Sequence, residues 1–579
     1  MRHHLGTPLF FGTTLTLAAL GPSCDSPTQR AITDDFRDRV DAILIEAETH
    51  RSDSDFRHTD YTTRDDNANA RSGYAHEAHY AEESLPHLDD TTLLRQSVLR
   101  DIADQYFEAV HVDTTLPIDT IISRLDPFSH HFTEAEYAAF MRSCNDEARR
   151  YGVQLQSADG KVILTHVAKG SAAEFAGILP GDEVRSINGH LLHGNDSVGV
   201  ALLGADYVKL LLFRSSANET YERGLSKANC PESSVPLAAM IDTRIGYVKV
   251  TGFHRGTSEK LHDAIEDLLL RGMTSLVLDL RGNPGGYLDE AIDMANLFVH
   301  DAGRALVTDS RVPIHRSEYT LSKPADFPKL PLAVLVDNGS CSASEIFAGI
   351  VQDLDRAVIV GQPTIGKSLV MNFFRLPKLE WLYLTVAAYK LPTGRCVQRP
   401  YTNGVLVGGG YREFGSADNH GHGIDSNIAE GECPVYKTVS GRSLYGNTGI
   451  VPEYLVAQDC FAADWIRDVV WQAAASYLWQ NAGWLLHTTL DSFSRFCEMP
   501  QALVDTVLDQ LYLHDTTKTK HLSLQQASLV PKIVMAYVAW CIWSDAGFFN
   551  LWGKNNATVR RAVGLLSSNP LPLAIHGTE

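Results

Sequence analysis

Ser342 and Lys367 are the residues whose types and spacing could do chemistry. They stand in Gly339-Ser340-Cys341-Ser342-Ala343-Ser344-Glu345-Ile346 and in Thr364-Ile365-Gly366-Lys367, 25 positions apart. A serine hydroxyl is a weak nucleophile until a base takes its proton. A lysine serves as that base only while its amine is neutral, and apolar surroundings favour the neutral form. Ala357-Val358-Ile359-Val360 precedes Lys367 and Leu369-Val370 follows it. The chemistry such a pair supports is attack of an alkoxide on a carbonyl carbon.

That attack also needs donors for the oxyanion. Ser342 precedes the amphipathic stretch Glu345, Ile346, Ile350, Val351, Leu354, so it falls at a helix N-terminus. Unpaired N–H groups and the helix dipole favour negative charge there, and the Ala343 N–H is the first candidate donor. Arg281-Gly282-Asn283-Pro284-Gly285-Gly286 is a turn whose glycines let backbone approach a substrate closely. Gly285 or Gly286 is the second candidate donor, and the sequence leaves the choice open. Cys341 adjoins Ser342 but has no specified histidine partner. Ser344 is a candidate helper in the chemistry, with the role of helix cap as the favoured alternative.

Other clusters read as loops. Asp418 and His420-Gly421-His422 lie in a polar, glycine-rich insertion at 403–431. Gly408–Gly410 lacks the Gly-Lys-[Ser/Thr] of a phosphate loop, so no nucleotide is implied. The nine cysteines have no zinc spacing. Cys433 and Cys460 are close enough to suspect a disulfide, with unpaired thiols the alternative. No cofactor or metal is expected.

The elements around these residues alternate. Residues 31–50 suit a helix, 51–90 a polar linker, and 91–111 a second helix. Leu125-Asp126-Pro127-Phe128-Ser129 is a turn, and Thr133 with Glu136 forms a capping box. From 240 to 400 the pattern is α/β: strands at Ile245–Val250, Leu276–Leu280 and Leu332–Val336, helices at Ser258–Leu270 and Leu288–Val299. Residues 460–579 read as helical, with Trp465, Ile466, Val469 and Val470 on an apolar face.

Between 149 and 235 the order is strand, strand, short helix, then Leu179-Pro180-Gly181-Asp182-Glu183-Val184 and Ile187-Asn188-Gly189. This resembles a PDZ domain. The resemblance implies that an extended peptide adds to a sheet edge. The loop at Tyr151, Gly152 and Val153 would then take its C-terminal carboxylate.

Asp279-Leu280-Arg281-Gly282-Asn283-Pro284-Gly285-Gly286, Ser340–Ile346, Gln352-Asp353 with Arg356-Ala357, Gly361 and Gly366-Lys367 resemble the carboxyl-terminal processing (tail-specific) peptidases of family S41. The PDZ-like segment, the Leu125–Ser129 turn and Gly449-Ile450-Val451-Pro452-Glu453 fit the same family. The resemblance maps Ser342 onto the nucleophile and Lys367 onto the general base of a serine endopeptidase. It implies a crotonase-like α/β core. One departure stands out: the family often carries a glutamine four residues after the lysine, and here that residue is Met371, a weak acceptor and no donor. Asn372 is adjacent, but strand alternation turns it to the opposite face unless a bulge intervenes.

The fold class expected is multidomain α+β. Residues 1–24 form a signal segment and 25–148 a helical N-terminal domain with its linker. The PDZ-like domain covers 149–235, the protease core 236–459 and a helical domain 460–579. Leu9–Leu20 has the length of a signal h-region and is too short to span a bilayer. Gly21-Pro22-Ser23-Cys24 resembles a bacterial lipoprotein cleavage site, with Gly21 where an aliphatic residue is usual, so Cys24 is a candidate lipidation site. Export to the periplasm or cell envelope is expected, with protein or peptide substrates. A formal net charge of −20 argues against nucleic acid. The competing expectation is a PDZ binding scaffold on a degenerate protease core.

Overall fold

The computed structural model describes residues 90–144, 151–192, 206–226, 233–299, 303–406, 433–457, 461, 464–514 and 524–568. Cys24, the expected signal segment, the 31–50 helix, nearly all of the 51–90 linker, Cys230, Cys460 and most of the 403–431 insertion lie outside them.

The N-terminal part has helices α1 (Asp90–Gln105) and α2 (Ile118–Leu125), strand β1 (His130–Phe132) and helix α3 (Glu134–Cys144). α1 ends six residues before the expected boundary. The capping box opens α3: the Thr133 N–H and hydroxyl both reach Glu136 Oε2, at 2.9 and 2.8 Å. In the turn before β1, Asp126 Oδ1 accepts from the N–H groups of Phe128 and Ser129, both at 2.8 Å.

A β-rich unit follows, with β2 (Val153–Ala158), β3 (Lys161–Val167), α4 (Ala172–Phe175), β4 (Glu183–Ile187), β5 (His190–Leu191), β6 (Tyr207–Arg214) and β7 (Glu219–Ser226). The strand order is β2-β3-β4-β6-β7, with β5 on β4. β4 and β5 are joined by Asn188 and Gly189, both at positive φ (51° and 83°), as a two-residue hairpin turn requires.

The core runs β8 (Leu237–Met240), β9 (Ile245–Lys249), α5 (Thr257–Leu270), β10 (Ser275–Asp279), α6 (Leu288–Asn296), β11 (Gly303–Asp309), β12 (Ser317–Leu321), β13 (Leu332–Val336), α7 (Ala343–Asp353), β14 (Val358–Gly361), β15 (Leu369–Arg375), β16 (Trp381–Lys390) and, after two short hairpins, β17 (Tyr454–Leu455). Its main sheet has the order β17-β14-β13-β10-β9-β8. All neighbours are parallel except β8 against β9. β10 and β13 are buried throughout, which is why β13 reads as an unbroken apolar run and β10 as Leu276-Val277-Leu278 between Ser275 and Asp279. Leu276, Leu278, Val334, Val336 and Ile359 face one cluster with residues of α5, α6 and α7. Val277, Ala333, Leu335, Val358 and Val360 face another. A second sheet pairs β15 and β1 on opposite sides of β16 and continues through β11 to β12.

The C-terminal helices are α8 (Asp464–Leu485), α9 (Leu490–Phe496), α10 (Gln501–His514), α11 (Val530–Leu551) and α12 (Ala557–Ser567). α8 to α11 share a core of their own. α12 belongs elsewhere: Val559, Ala562 and Leu565 cover the second face of the main sheet. That face is therefore a helix–sheet interface, and the sheet is a middle layer. α8 and α11 also press on the outer face of the β2–β3 hairpin. Ala475 and Trp479 pack on Ala158 and Ile163, and the Trp540 ring lies 4.6 Å from that of His166. Burial there pushes the His166 imidazole down to about 4.

Candidate active site

β10 and β13 are parallel neighbours, so the loops leaving their C-terminal ends emerge side by side. Open α/β sheets place sites at this edge. The first loop is Leu280–Tyr287 and the second is Asp337–Ser342. Asp337 Oδ1 clasps them together, accepting from Gly282 N–H (2.8 Å) and Gly339 N–H (2.9 Å). Burial raises the Asp337 carboxyl. Ser340 Oγ donates to Leu280 O at 2.8 Å. Asn283 O accepts from Cys341 N–H (3.1 Å) and from the Ser344 hydroxyl (2.8 Å). Ser344 thus ties α7 to the glycine turn.

The glycines then do what only glycine can. Gly285 and Gly286 have φ of 111° and 138°, a region that excludes side chains. A β-carbon on Gly285 would lie 2.9 Å from Ser342 Cβ and 3.0 Å from Ala343 N. The turn is therefore pressed directly on the start of α7. The Gly285 N–H donates to Asn283 Oδ1 at 2.9 Å, so it is already engaged.

Ser342 is the N-cap of α7 and has φ 53° and ψ −114°. A non-glycine residue held there stores on the order of 1–3 kcal/mol, a strain that recurs where function fixes a side chain's direction. Its backbone is held at both ends. Its N–H donates to Glu345 Oε2 at 3.0 Å. Its carbonyl lies 3.3 Å from the Tyr389 hydroxyl.

Glu345 is the residue that joins the halves of the site. It is fully buried in the first turn of α7. Oε2 accepts from Ser342 N–H and also from Lys367 N–H at 2.9 Å. Oε1 accepts from Gly366 N–H at 2.7 Å and from the Thr364 hydroxyl. Ser342 and Lys367 thus hang from one oxygen atom. Tyr389 repeats the link, with its hydroxyl 2.8 Å from Lys367 O. Thr364 Oγ1 accepts from Ile450 N–H at 2.7 Å, so the Gly449-Ile450 turn supports the lysine loop.

Lys367 has no exposed surface. Its Nζ lies 5.0 Å from the centre of the Phe128 ring. That places the Leu125–Ser129 turn over the lysine. Met371 is in β15, where Thr385 donates its hydroxyl to the thioether at 3.1 Å. The bulge between β15 and β16 falls at this point, with Val370 opposite Ala387 and Met371 opposite Thr385. Asn372 Oδ1 accepts from Phe373 N–H.

Ser342, Ala343, Gly285, Gly286 and Lys367 are thus collected at one sheet edge. Tyr151, Gly152 and Val153 are not there. They open β2 in the β-rich unit, where Tyr151 and Val153 are buried in its core. Gly152 (φ 76°) accepts from Ala168 N–H, and a β-carbon on it would strike Ser171. Glu345, Tyr389, Asn283 and Asp337 escaped sequence reasoning. A signal for Glu345 was present: Ser342 and Glu345 have the Ser-x-x-Glu spacing of a capping box. Among the described residues one group could hold a metal, His262, Asp263 and Glu266 on α5, outside this constellation.

Four donors around one buried carboxylate give a pH signature. Burial pushes Glu345 up to about 7, against the opposing pull of its hydrogen bonds from Thr364, Lys367, Gly366 and Ser342. A raised carboxyl favours folding fully below its unfolded value near 4.5 and loses that contribution as pH rises through about 7. The folding free energy of wild type relative to Glu345→Gln should therefore fall between pH 5 and pH 8, by up to about 3 kcal/mol. Denaturant titrations of both proteins at the two pH values would show it. An unchanged difference would remove Glu345 as the titrating group.

Residues 244–405 match the family model of peptidase family S41, and the chain carries an S41 peptidase domain. Among the similar proteins is the carboxy-terminal processing protease CtpA of Bacillus subtilis (strain 168). It is 30% identical over 278 residues, which are 47% of this chain and 59% of that protein. A probable CtpA-like serine protease of Staphylococcus aureus (strain MRSA252) is 28% identical over 304 residues, 50% of this chain and 60% of the relative. The chain thus spans about three fifths of the length of these relatives. Among solved structures, a photosystem II D1 C-terminal processing protease is similar at 24% identity, with a TM-score of 0.33 over 54% of this chain and 91% of that one.

Proposed function

We propose that this chain is an exported serine endopeptidase of the carboxyl-terminal processing type, working through Ser342 and Lys367. The observation that carries the reading is the shared Glu345 oxygen that holds the backbones of Ser342 and Lys367 together beside the Gly285-Gly286 turn.

Lys367 Nζ takes the Ser342 proton as Oγ forms a bond to the scissile carbonyl carbon. The oxyanion is met by the Ala343 N–H and by the Gly286 N–H, since that of Gly285 is taken by Asn283. Collapse breaks the C–N bond, and Lys367 passes its proton to the leaving amine. Water then attacks the acyl ester, losing a proton to Lys367, which returns it to Ser342 Oγ. No cofactor enters these steps.

The β-rich unit is proposed to select substrates by their C-termini, as a PDZ domain does. β2 ends the strand order β2-β3-β4-β6-β7, begins at Val153 and follows Tyr151-Gly152 directly. An extended peptide could add along it, with its carboxylate at that loop. Substrates would be proteins of the cell envelope, and Cys24 the point of lipid anchoring. Among the described residues no helix is long and apolar enough to cross a membrane. A binding scaffold on a degenerate core is the second reading, favoured by Met371, whose thioether, accepting from the Thr385 hydroxyl, stands where the resembled family often carries a glutamine.

The test is cleavage of casein by the full-length chain beside Ser342→Ala. Loss of the hydroxyl should lower kcat by at least about a thousandfold with the fold intact. Cleavage by Ser342→Ala at the wild-type rate would sink the mechanism. No cleavage by wild type, with or without a peptide bearing a free C-terminus, would favour the scaffold.

A further inference from the structure

The glycine turn has a support on its far side that comes from the C-terminal helices. Arg281 directly precedes Gly282. Its guanidinium grips Asp279 through Nε (2.9 Å to Oδ1) and Nη2 (2.6 Å to Oδ2). Asp279 is also held by the Tyr247 hydroxyl at 2.6 Å, and Phe549 of α11 stacks on the Tyr247 ring at 4.2 Å. The remaining arm of the guanidinium, Nη1, donates to Asn556 Oδ1 at 2.8 Å.

Asn556 is the N-cap of α12, and the same Oδ1 accepts from Thr558 N–H at 3.0 Å. One side-chain oxygen therefore fixes two things, the start of the helix that covers the sheet and the arginine at the root of the catalytic turn. The path onward is short. Gly282 is bonded to Asp337, Asn283 O holds Cys341 and Ser344, and Gly285 abuts Ser342.

We propose that Asn556 is a positioning residue for the Ser342 site, holding the oxyanion turn through Arg281. This rests on the reading of Ser342 as nucleophile and adds the C-terminal helical region to the working apparatus. The mechanism is geometric. A half-buried guanidinium with all arms bonded has one orientation, and so does the turn it begins. With one arm released, Arg281 can pivot on Asp279. A displacement of about 1 Å at the turn is enough to cost roughly a hundredfold in rate.

The capping role and the arginine-holding role can be separated. Serine caps a helix about as well as asparagine. Its hydroxyl is one bond shorter, so Asn556→Ser keeps α12 capped and withdraws the oxygen from Arg281. Asn556→Asp keeps both bonds. The measurement is the rate at which a serine-directed aryl phosphonate labels Ser342 in the full-length chain, with thermal melting and casein kcat and KM alongside. Asn556→Ser should label between about tenfold and a hundredfold more slowly, with kcat reduced, KM held and melting near wild type. Asn556→Asp should label at the wild-type rate.

Equal labelling of wild type and Asn556→Ser overturns the inference and leaves the nucleophile standing. Equal slowing in Asn556→Ser and Asn556→Asp overturns it too, because the acceptor would not be what matters. Asn556→Gly, another tolerated cap, repeats the test should the serine variant unfold; unfolding of both would show a structural residue and overturn the proposal. Failure of wild type to label would remove the nucleophile and this inference with it.

Discussion

Lys367→Met is expected to lower kcat for peptide hydrolysis by about ten-thousandfold while leaving the protein at least as stable as wild type. Loss of the base leaves Ser342 without a proton acceptor, and single losses from a nucleophile–base unit run to about this size. The stability half of the expectation comes from burial. Lys367 has no exposed surface and lies against the Phe128 ring. An ammonium at such a position is desolvated, whereas a methionine of similar length is at home there. The backbone bonds from Lys367 N to Glu345 and from Tyr389 to Lys367 O do not depend on the side chain. Melting curves and casein turnover on one preparation check both halves. A variant that is active and less stable would reverse the assignment, making Lys367 structural.

Gly285→Ala should lower kcat by about a hundred- to a thousandfold with little change in KM. Two effects act together. The φ of 111° is one an alanine rarely adopts. Its methyl would also lie 2.8 Å from Cys341 O, 2.9 Å from Ser342 Cβ and 3.0 Å from Ala343 N, all rigid parts of the α7 N-terminus. Relief requires the turn to move away from Ser342 or the methyl to cover the Ala343 N–H. Either removes a donor that counts mainly in the transition state. Gly303→Ala is the control for backbone strain. Gly303 also has positive φ (71°), but a β-carbon there meets nothing within 4 Å, so that variant should lose a little stability and no activity. Parallel losses in the two variants would mean that strain, and not the approach to Ser342, explains the Gly285 effect.

What the sequence showed and what it hid divide along physical lines. β13 was readable to the residue, because a strand buried on both faces must be apolar at every position and Leu332–Val336 is. The Asn188-Gly189 turn was readable because few residue pairs tolerate two positive φ values. Ser342 and Lys367 could be singled out as a candidate pair from their residue types and spacing alone. Glu345 was not, although its spacing from Ser342 is that of a capping box. An acidic residue in a first helical turn is ordinary, and only the arrival of Gly366 and Lys367 from another loop makes it the joint of the site. The engagement of the Gly285 N–H was hidden for a similar reason: it turns on the direction of the Asn283 side chain. The place of α12 was hidden because Val559, Ala562 and Leu565 would suit any amphipathic helix, and nothing in their spacing says which face they cover.

The most direct test of the central claim, Ser342 as nucleophile with Lys367 as its base, is to treat the full-length chain with an aryl phosphonate and locate the adduct by mass spectrometry. The account predicts one adduct, on Ser342, formed in wild type and lost in Lys367→Met. An adduct on Cys341 or Ser344, or labelling of Ser342 that proceeds unchanged in Lys367→Met, would contradict it.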